Sequence, residues 1–234
     1  LGAGALILDA LQKEVVRSRP HLGAAFDGDR DRLISVDEEG QIRDGDFALA
    51  VCGRHLASRG QLKGGTVVTT VMANLALDRA LTQLGVRIVK VQVGDRYVLE
   101  EMLRIGANVG GEQSGHLLFL DHTTTGDGIV SALQLIGVMQ ETKSSLGELS
   151  RCMTKFPQVL LNVAVTSKPP VDQIPGLVDR AKALEREMAG AGRVLLRYSG
   201  TESLLRVMIE GEDQARIEAM AEELAAIIRQ AIGA

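Results

Sequence analysis

Apolar positions change their spacing several times along the chain, and each change predicts an element. Leu8, Leu11, Val15 and Val16 recur at helical intervals, predicting a short amphipathic helix over Asp9–Arg17, opened by Asp9 or Ala10 and closed by Pro20 and Gly23. Leu22–Phe26 and Leu33–Val36 read as strands, the second forming a hairpin with Gln41–Arg43 over the turn Asp37-Glu38-Glu39-Gly40. Phe47, Leu49, Ala50 and Leu56 then mark a helix to about Ser58, with Asp46 as its N-cap and Gly60, Gly64 and Gly65 beyond it. Regular alternation follows: strand Thr66–Val71, helix Asn74–Leu84, strand Val86–Val93, helix Asp95–Arg104. Two strand pieces, Asn108–Gly110 and His116–Leu120, precede a helix over Asp127–Gln140. Asn74 and Asp95 are the expected caps of their helices.

Strand–helix alternation with glycine at the joints predicts βαβ units on a largely parallel sheet. Phe156-Pro157 marks a boundary. After it come strand Gln158–Thr166, helix Gly176–Met188, strands Arg193–Tyr198 and Leu204–Glu210, and a final helix capped by Asp213. That order, β-α-β-β-α, predicts a small α+β sandwich with its helices on one face. The fold class expected is therefore α/β: residues 1–44 as the end of one α/β domain lacking its earlier strands, 45–153 as a complete α/β domain, and 154–234 as a small C-terminal α+β domain.

Composition narrows the function classes. The chain has 26 Lys and Arg against 30 Asp and Glu, few aromatics and no basic run, which argues against nucleic-acid binding. No apolar run reaches membrane-spanning length and no secretory leader is read, so no membrane role and a cytoplasmic location are expected. Cys52 and Cys152 lie far apart within apolar helical patterns and read as reduced core thiols. A first residue of Leu rather than Met suggests a piece of something longer.

The chemistry concentrates in Asp27-Gly28-Asp29-Arg30-Asp31-Arg32. Three carboxylates at alternate positions can converge on one point in an extended or tightly turned backbone. Their hard oxygens suit Mg²⁺ or Ca²⁺, and Arg32 can grip a phosphate held by the same ion. A solvated acidic turn is the plainer alternative. An EF-hand loop would begin in the same way and would place Glu38 at its twelfth position, but Arg32 stands where that loop needs glycine.

Three further segments carry chemistry. In Gly94-Asp95-Arg96-Tyr97-Val98, Gly94 permits a tight turn and Arg96 projects near a helix start. In Gly110-Gly111-Glu112-Gln113-Ser114-Gly115-His116, flanking glycines bring the backbone close to a ligand, and the alternating Glu112, Ser114 and His116 suit neighbouring sugar hydroxyls. A bulged strand with surface polar groups would look the same. In Arg197-Tyr198-Ser199-Gly200-Thr201-Glu202, hydroxyls, amides and an arginine between two strands form an anion-binding concavity or, more simply, a hairpin turn. Thr123-Thr124-Thr125-Gly126-Asp127-Gly128 reads locally as a glycine-containing helix cap.

These segments, in this order, resemble motifs of the α-D-phosphohexomutases: the metal loop D-G-D-x-D-R, the sugar loop G-E-x-S-G-H with its companion T-T-G-D-G, and the phosphate loop R-x-S-G-T-E. The segment G-D-R-Y-V and the form G-E-Q-S-G-H resemble the phosphoglucosamine mutase branch. The resemblance implies the family's three-layer α/β domain 3 and α+β domain 4 preceded by the end of domain 2. It also implies a metal site at Asp27, Asp29 and Asp31 for Mg²⁺, and Arg32 and His116 in catalysis, with His116 matching a residue assigned to proton transfer. Arg96, Glu112 and Ser114 would meet the sugar; Arg197, Ser199, Gly200 and Thr201 would hold the phosphate of a phosphosugar partner. Tyr198 stands where many members have Pro. The implied activity is interconversion of glucosamine 6-phosphate and glucosamine 1-phosphate through a phosphoserine, with glucosamine 1,6-bisphosphate as intermediate and activator, feeding UDP-N-acetylglucosamine and cell-wall synthesis. A homodimer is compatible with the resemblance. The family's serine loop, S-H-N, has no counterpart here, which leaves this chain as the second half of a member and without turnover of its own. Alternatives are a phosphomannomutase/phosphoglucomutase or, for the chain by itself, a non-catalytic metal and sugar-phosphate binding module.

Overall fold

The computed structural model describes residues 8–234; the expected start of the first segment, residues 1–7, lies outside the described residues. Contacts divide the chain into two units, one ending at Thr154 and one spanning Lys155–Ala234.

The first unit opens with helix α1 (Asp9–Ser18), whose Val15 is buried. Val16, expected on the same inner face, is instead 56% exposed, because the helix packs mainly on the small sheet that follows and so buries a narrow stripe. That sheet is an antiparallel meander of β1 (Gly23–Phe26), β2 (Leu33–Val36) and β3 (Ile42–Arg43). Its second turn is fixed by the fully buried Asp37, which accepts the Glu39 and Gln41 N–H groups at 3.0 and 2.9 Å and the Arg43 Nε at 2.7 Å. A buried charge of this kind is tolerable only when paired and hydrogen-bonded, as it is here.

Helix α2 (Gly45–Ser58) begins two residues earlier than the sequence suggests. Its N-cap is Asp44; Asp46, the expected cap, sits in the first turn, fully buried, and accepts the Asn74 N–H and the Gln113 side-chain amide, each at 3.0 Å. Residues Gly45 to Gly53 are all buried, so this half of the helix is surrounded by protein.

A four-stranded sheet ordered β5-β4-β6-β7 forms the middle layer: β4 (Thr66–Thr70), β5 (Arg87–Val91), β6 (Val109–Gly111) and β7 (Leu117–Phe119). The first three are parallel and β7 is antiparallel. Helix α4 (Asp95–Ile105) covers one face, where Val98 and Met102 pack on Val68 and Leu118. The other face meets α2 and α3 (Leu75–Thr82). There Gly53 lets Val67 and Leu81 approach, and any Cβ at Gly53 would stand 3.1 Å from Val67. Full burial of each such aliphatic side chain is worth roughly 1.5–3 kcal/mol. Asn74 caps α3 as expected, but α4 is preceded by Gly94, with Asp95 as its first helical residue. Helix α5 (Gly128–Thr142) is capped by Asp127 and packs on β7 and β2. A short helix not anticipated from the sequence, α6 (Leu146–Ser150), has a complete Ser145/Glu148 capping box.

The second unit is an antiparallel sheet ordered β8-β10-β9, with β8 (Gln158–Ala164), β9 (Gly192–Tyr198) and β10 (Leu204–Gly211). Helices α7 (Leu177–Glu187) and α8 (Gln214–Ile232) pack into one core with Val163, Leu205, Val207 and Ile209. Asp213 caps α8 as expected. Both cysteines are free, and burial pushes the Cys52 thiol up to about 12, which fits an inert core residue. No helix among the described residues is long and apolar enough to cross a membrane.

The glycines give a sharp stability test. A Cβ at Gly45 would lie 2.0 Å from the Glu112 carbonyl oxygen, whereas one at Gly137, in the middle of α5, meets nothing within 4 Å. Gly45→Ala is expected to lower stability by about 1–3 kcal/mol or more through forced backbone shifts, and Gly137→Ala to raise it by roughly 1 kcal/mol through helix propensity. Paired denaturant melts check both; a harmless Gly45→Ala would contradict the packing described.

Candidate functional site

The three aspartates follow β1 in a turn, not in an extended strand. Arg30 adopts φ +64°, and its N–H donates to the Asp27 carbonyl at 3.2 Å. The turn brings one carboxylate oxygen from each of Asp27, Asp29 and Asp31 within 4.8 Å of the others. Without a cation the group is electrostatically unequal. Burial raises the Asp31 carboxyl above its ordinary range, helped by a hydrogen bond with Asp27 and the Asp27 and Asp29 charges and opposed by His116. At Asp27 burial also pushes upward, but the Arg32 N–H, the bond with Asp31 and the Arg32 charge outweigh it and leave that carboxyl low. This splitting is what like charges in one place produce. Asp31 Oδ1 is buried with no hydrogen-bond partner, and a Cβ at Gly28 would meet open space. Three converging carboxylates, with an unsatisfied oxygen on Asp31, fit a small divalent cation. The EF-hand alternative fails on geometry. Strands flank the loop, and Glu38 is bound instead to Ser145 Oγ and, at 3.0 Å, to the Gly147 N–H at the start of α6.

The sugar-loop motif is the turn between β6 and β7. It closes through Glu112 N–H to the His116 carbonyl at 2.9 Å and Gly115 N–H to the Glu112 carbonyl at 3.0 Å. Its back lies directly on β2. Arg32 and His116 form a β-bridge, and the Leu33 N–H donates to the Gly115 carbonyl at 3.0 Å. Gly115 has φ +94°, and a Cβ there would stand 2.2 Å from the Leu33 carbonyl oxygen, so glycine is needed for both conformation and contact. The expectation that Glu112, Ser114 and His116 point one way holds for two of them. Glu112 and Ser114 line a cleft of about 540 Å³ together with Arg32, Asp44, Thr70, Met72, Val93 and Gln113. His116 turns inward and is 4% exposed, its Nε2 3.3 Å from Asp31 Oδ2 and 3.9 Å from Asp95 Oδ2.

The cleft opens at the carboxyl ends of β4, β5 and β6, where ligands collect in open α/β sheets. Glu112 Oε1 accepts the Gly94 N–H at 3.0 Å, and Ser114 Oγ lies 3.4 Å from Glu112 Oε2. Arg32 borders this cleft while its Nε sits 3.7 and 3.9 Å from Asp27 and Asp31. A somewhat larger groove between α2 and α5, about 610 Å³, contains none of the motif residues. Arg96 is not among the cleft's lining residues. Its side chain is 80% exposed and pairs with Glu100 at 2.6 Å, which raises its pKa.

Residues that a local reading passed over explain the companion segment. A Cβ at Gly126 would fall 2.2 Å from the His116 imidazole, and one at Gly128 would fall 2.6 Å from the Arg32 carbonyl oxygen. The Gly128 N–H also donates to the Arg30 carbonyl at 2.9 Å. The spacing of the two glycines was the visible signal; the partner across the chain was not visible.

In the second unit, Arg197, Ser199, Gly200 and Thr201 lie at the β9–β10 turn, closed by Ser199 N–H to the Leu204 carbonyl at 2.9 Å. Ser199 is 3% exposed, and nothing lies within 4 Å of where a Gly200 Cβ would be. Arg197 faces Arg206 across the strand pair; burial and then the Arg206 charge hold its pKa below the usual value. Tyr198 points away, donating its hydroxyl to the Pro169 carbonyl at 2.7 Å. Lys168 and Arg206 join this loop, and its motif residue Glu202, without having been singled out as site residues in the sequence.

Comparisons with known proteins accord with this geometry. Residues 44–156 match the family model described as phosphoglucomutase/phosphomannomutase, alpha/beta/alpha domain III, and residues 160–227 match its C-terminal domain. Phosphoglucosamine mutase of Syntrophotalea carbinolica is 51% identical over 99% of this chain and 51% of its own length; that of Caldanaerobacter subterraneus subsp. tengcongensis is 49% identical over 98% and 52%. The chain thus spans about half the length of these curated relatives. Among solved structures, N-acetylphosphoglucosamine mutase of Aspergillus fumigatus, in complex with GlcNAc-6P and magnesium, superposes with TM-score 0.73 at 22% identity, over 89% of this chain and 48% of that one. A phosphoglucomutase/phosphomannomutase family protein of Burkholderia thailandensis gives 0.76 at 22% identity, over 96% and 50%. The chain belongs to the phosphohexomutase family, matching the C-terminal half of its phosphoglucosamine mutase members.

Proposed function

We propose that this chain is the metal- and phosphosugar-handling half of a phosphoglucosamine mutase. The whole protein would interconvert glucosamine 6-phosphate and glucosamine 1-phosphate through a phosphoserine and glucosamine 1,6-bisphosphate. The observation that carries this reading is the β-bridge between Arg32 and His116, which sets a carboxylate triad beside a cleft lined by Glu112 and Ser114. Phosphoryl transfer between sugar oxygens depends on positioning and charge neutralisation, and this arrangement supplies places for both.

In this reading Asp27, Asp29 and Asp31 hold Mg²⁺, which when bound offsets negative charge on the transferring group. Arg32, bordering both the triad and the cleft, steadies the same group from the sugar side. Glu112 and Ser114 accept and donate hydrogen bonds to ring hydroxyls, and Arg197, Ser199, Gly200 and Thr201 hold the phosphate that is not reacting. His116, enclosed by Asp31, Asp95 and Gly126, has its Nε2 directed at carboxylates, which suits a proton held in reserve near the sugar loop. Arg96 has a weaker claim on the sugar, since its guanidinium is engaged by Glu100. A cytoplasmic location fits the substrate class. The second reading, a phosphomannomutase/phosphoglucomutase, is favoured only by the description of the matching family models.

The metal assignment has a stability signature whose sign is fixed. Asp31 is held above its ordinary range, so its proton stabilises the fold at low pH. That contribution is lost as pH rises through the folded value, and at pH 7 the ionised group is a cost. Asp27 is held low and contributes in the opposite sense, its stabilisation fading as pH falls through its own folded value. Asp31→Asn is therefore expected to melt higher than the parent chain at pH 7 in EDTA, with the gap closing towards acid. Mg²⁺ at about ten times its dissociation constant should add roughly 1.4 kcal/mol to the parent and little to Asp31→Asn. A melting temperature indifferent to Mg²⁺ in the parent would overturn the site.

Substrate assignment is tested in the full-length protein with glucosamine 6-phosphate against mannose 6-phosphate. Glu112→Ala and Arg197→Ala should each lower kcat/KM by at least about tenfold, the loss of one charged hydrogen bond. Unchanged kinetics in both variants would refute the roles given to these residues, and preference for mannose 6-phosphate would favour the second reading.

A further inference from the structure

The β9–β10 loop carries more positive charge than its own residues neutralise. Arg197 and Arg206 stand directly opposite on adjacent strands, a pairing that like charges normally disfavour. Arg197 makes no ion pair among the described residues, and its Nε is buried without a hydrogen-bond partner. Lys168 adds a third cation, its Nζ donating to the Ser199 carbonyl at 2.8 Å. One carboxylate answers them. Glu202 Oε2 accepts Arg206 Nη2 at 3.1 Å and lies 3.4 Å from Ser199 Oγ, while the Glu202 N–H donates to that same Oγ at 3.2 Å.

Ser199 is the decisive group. It is 3% exposed and has a single hydroxyl proton. The Glu202 N–H and Arg206 Nη2 both donate to its oxygen, so the proton is directed at the Glu202 carboxylate. A phosphate ester seated in this loop would need the same proton and the same Arg206 N–H. Glu202 itself stands on an exposed turn, its side chain 57% accessible, with solvent to move into.

We infer that Glu202 is a built-in counter-anion: its carboxylate occupies part of the phosphate seat and is displaced when a phosphate ester binds. The inference rests on the reading of Arg197–Thr201 as a phosphate loop and adds to it a residue that competes with the ligand. The carboxylate balances Arg206 and orients Ser199 while the seat is empty, and it sets a threshold that only a more highly charged anion crosses. Binding is then an exchange of one anion for another, with Arg197 the cation left free to favour the incoming one.

The test uses the 234-residue chain and inorganic phosphate, followed by phosphorus-31 line broadening at low ionic strength, with thermal melts to verify folding. Glu202→Gln keeps the hydrogen-bonding shape and removes the charge. It should bind phosphate about fivefold more tightly, the scale of one like charge removed from a solvent-accessible neighbourhood. Glu202→Ala should move in the same direction, and Arg197→Ala should weaken binding in every background. Phosphate affinity equal to or below the parent's in both Glu202 variants, with Arg197→Ala still damaging, would overturn the counter-anion and leave the loop's role standing. Binding that ignores Arg197→Ala would overturn the loop reading, and the counter-anion with it.

Discussion

The site depends on main-chain contact between the start of β2 and the turn joining β6 to β7. The Arg32–His116 bridge and the Leu33 N–H to Gly115 carbonyl bond join two segments more than eighty residues apart. Such contact requires the two backbones to approach without a side chain between them, and Gly115 satisfies that requirement. The other close approaches reinforce it. Gly45 admits the Glu112 carbonyl to the first turn of α2, and Gly126 and Gly128 press the next helix start against His116 and the aspartate loop. Buried Asp46 ties the arrangement from behind by binding both Asn74 and Gln113.

Charge is distributed unevenly within each of the two units. The aspartate loop is an excess of carboxylates relieved only by Arg32 and His116, and its two perturbed members divide into one raised and one lowered. The β9–β10 loop is the reverse, an excess of cations with a single carboxylate among them. Each is costly alone and cheap when occupied by an ion of opposite sign. Local imbalance of this kind, held in place by secondary structure, is a more discriminating mark of a binding site than cavity size. The larger groove between α2 and α5 pairs its own charges, with Glu141 meeting His55 and Arg59 and with Asp121 meeting Lys63.

Much of this was legible in the residues. Hydrophobic spacing located the long helices and the strands of all three sheets because burial of an aliphatic face enforces that spacing. Alternate aspartates suggested convergence, and the carboxylates do converge, although through a turn with Arg30 in the left-handed region. What could not be read was which of several competent residues takes a local role. Asp44 and Asp46 are equally good caps by type; a partner 28 residues away, the Asn74 N–H, decides that Asp46 faces inward. Asp95 lost the cap position to Gly94, whose N–H is drawn to Glu112. His116 shares its motif's alternation with Glu112 and Ser114, yet the bridge to Arg32 turns it towards Asp31. Helix α6 escaped because five residues are too few for periodicity to register.

Because the bridge between residues 32 and 116 is made of peptide groups, its spacing is indifferent to most side-chain replacements along it. The distance from aspartate loop to cleft is set by a ruler that mutation rarely redraws, while the side chain of Ser114, which lines the cleft, can change without touching the peptide groups of the bridge. A lineage built on this fold can therefore drift in the side chains that line the cleft without losing the alignment of cleft and aspartate loop. A change in what the cleft accepts becomes a short mutational walk rather than a rebuilding of the domain.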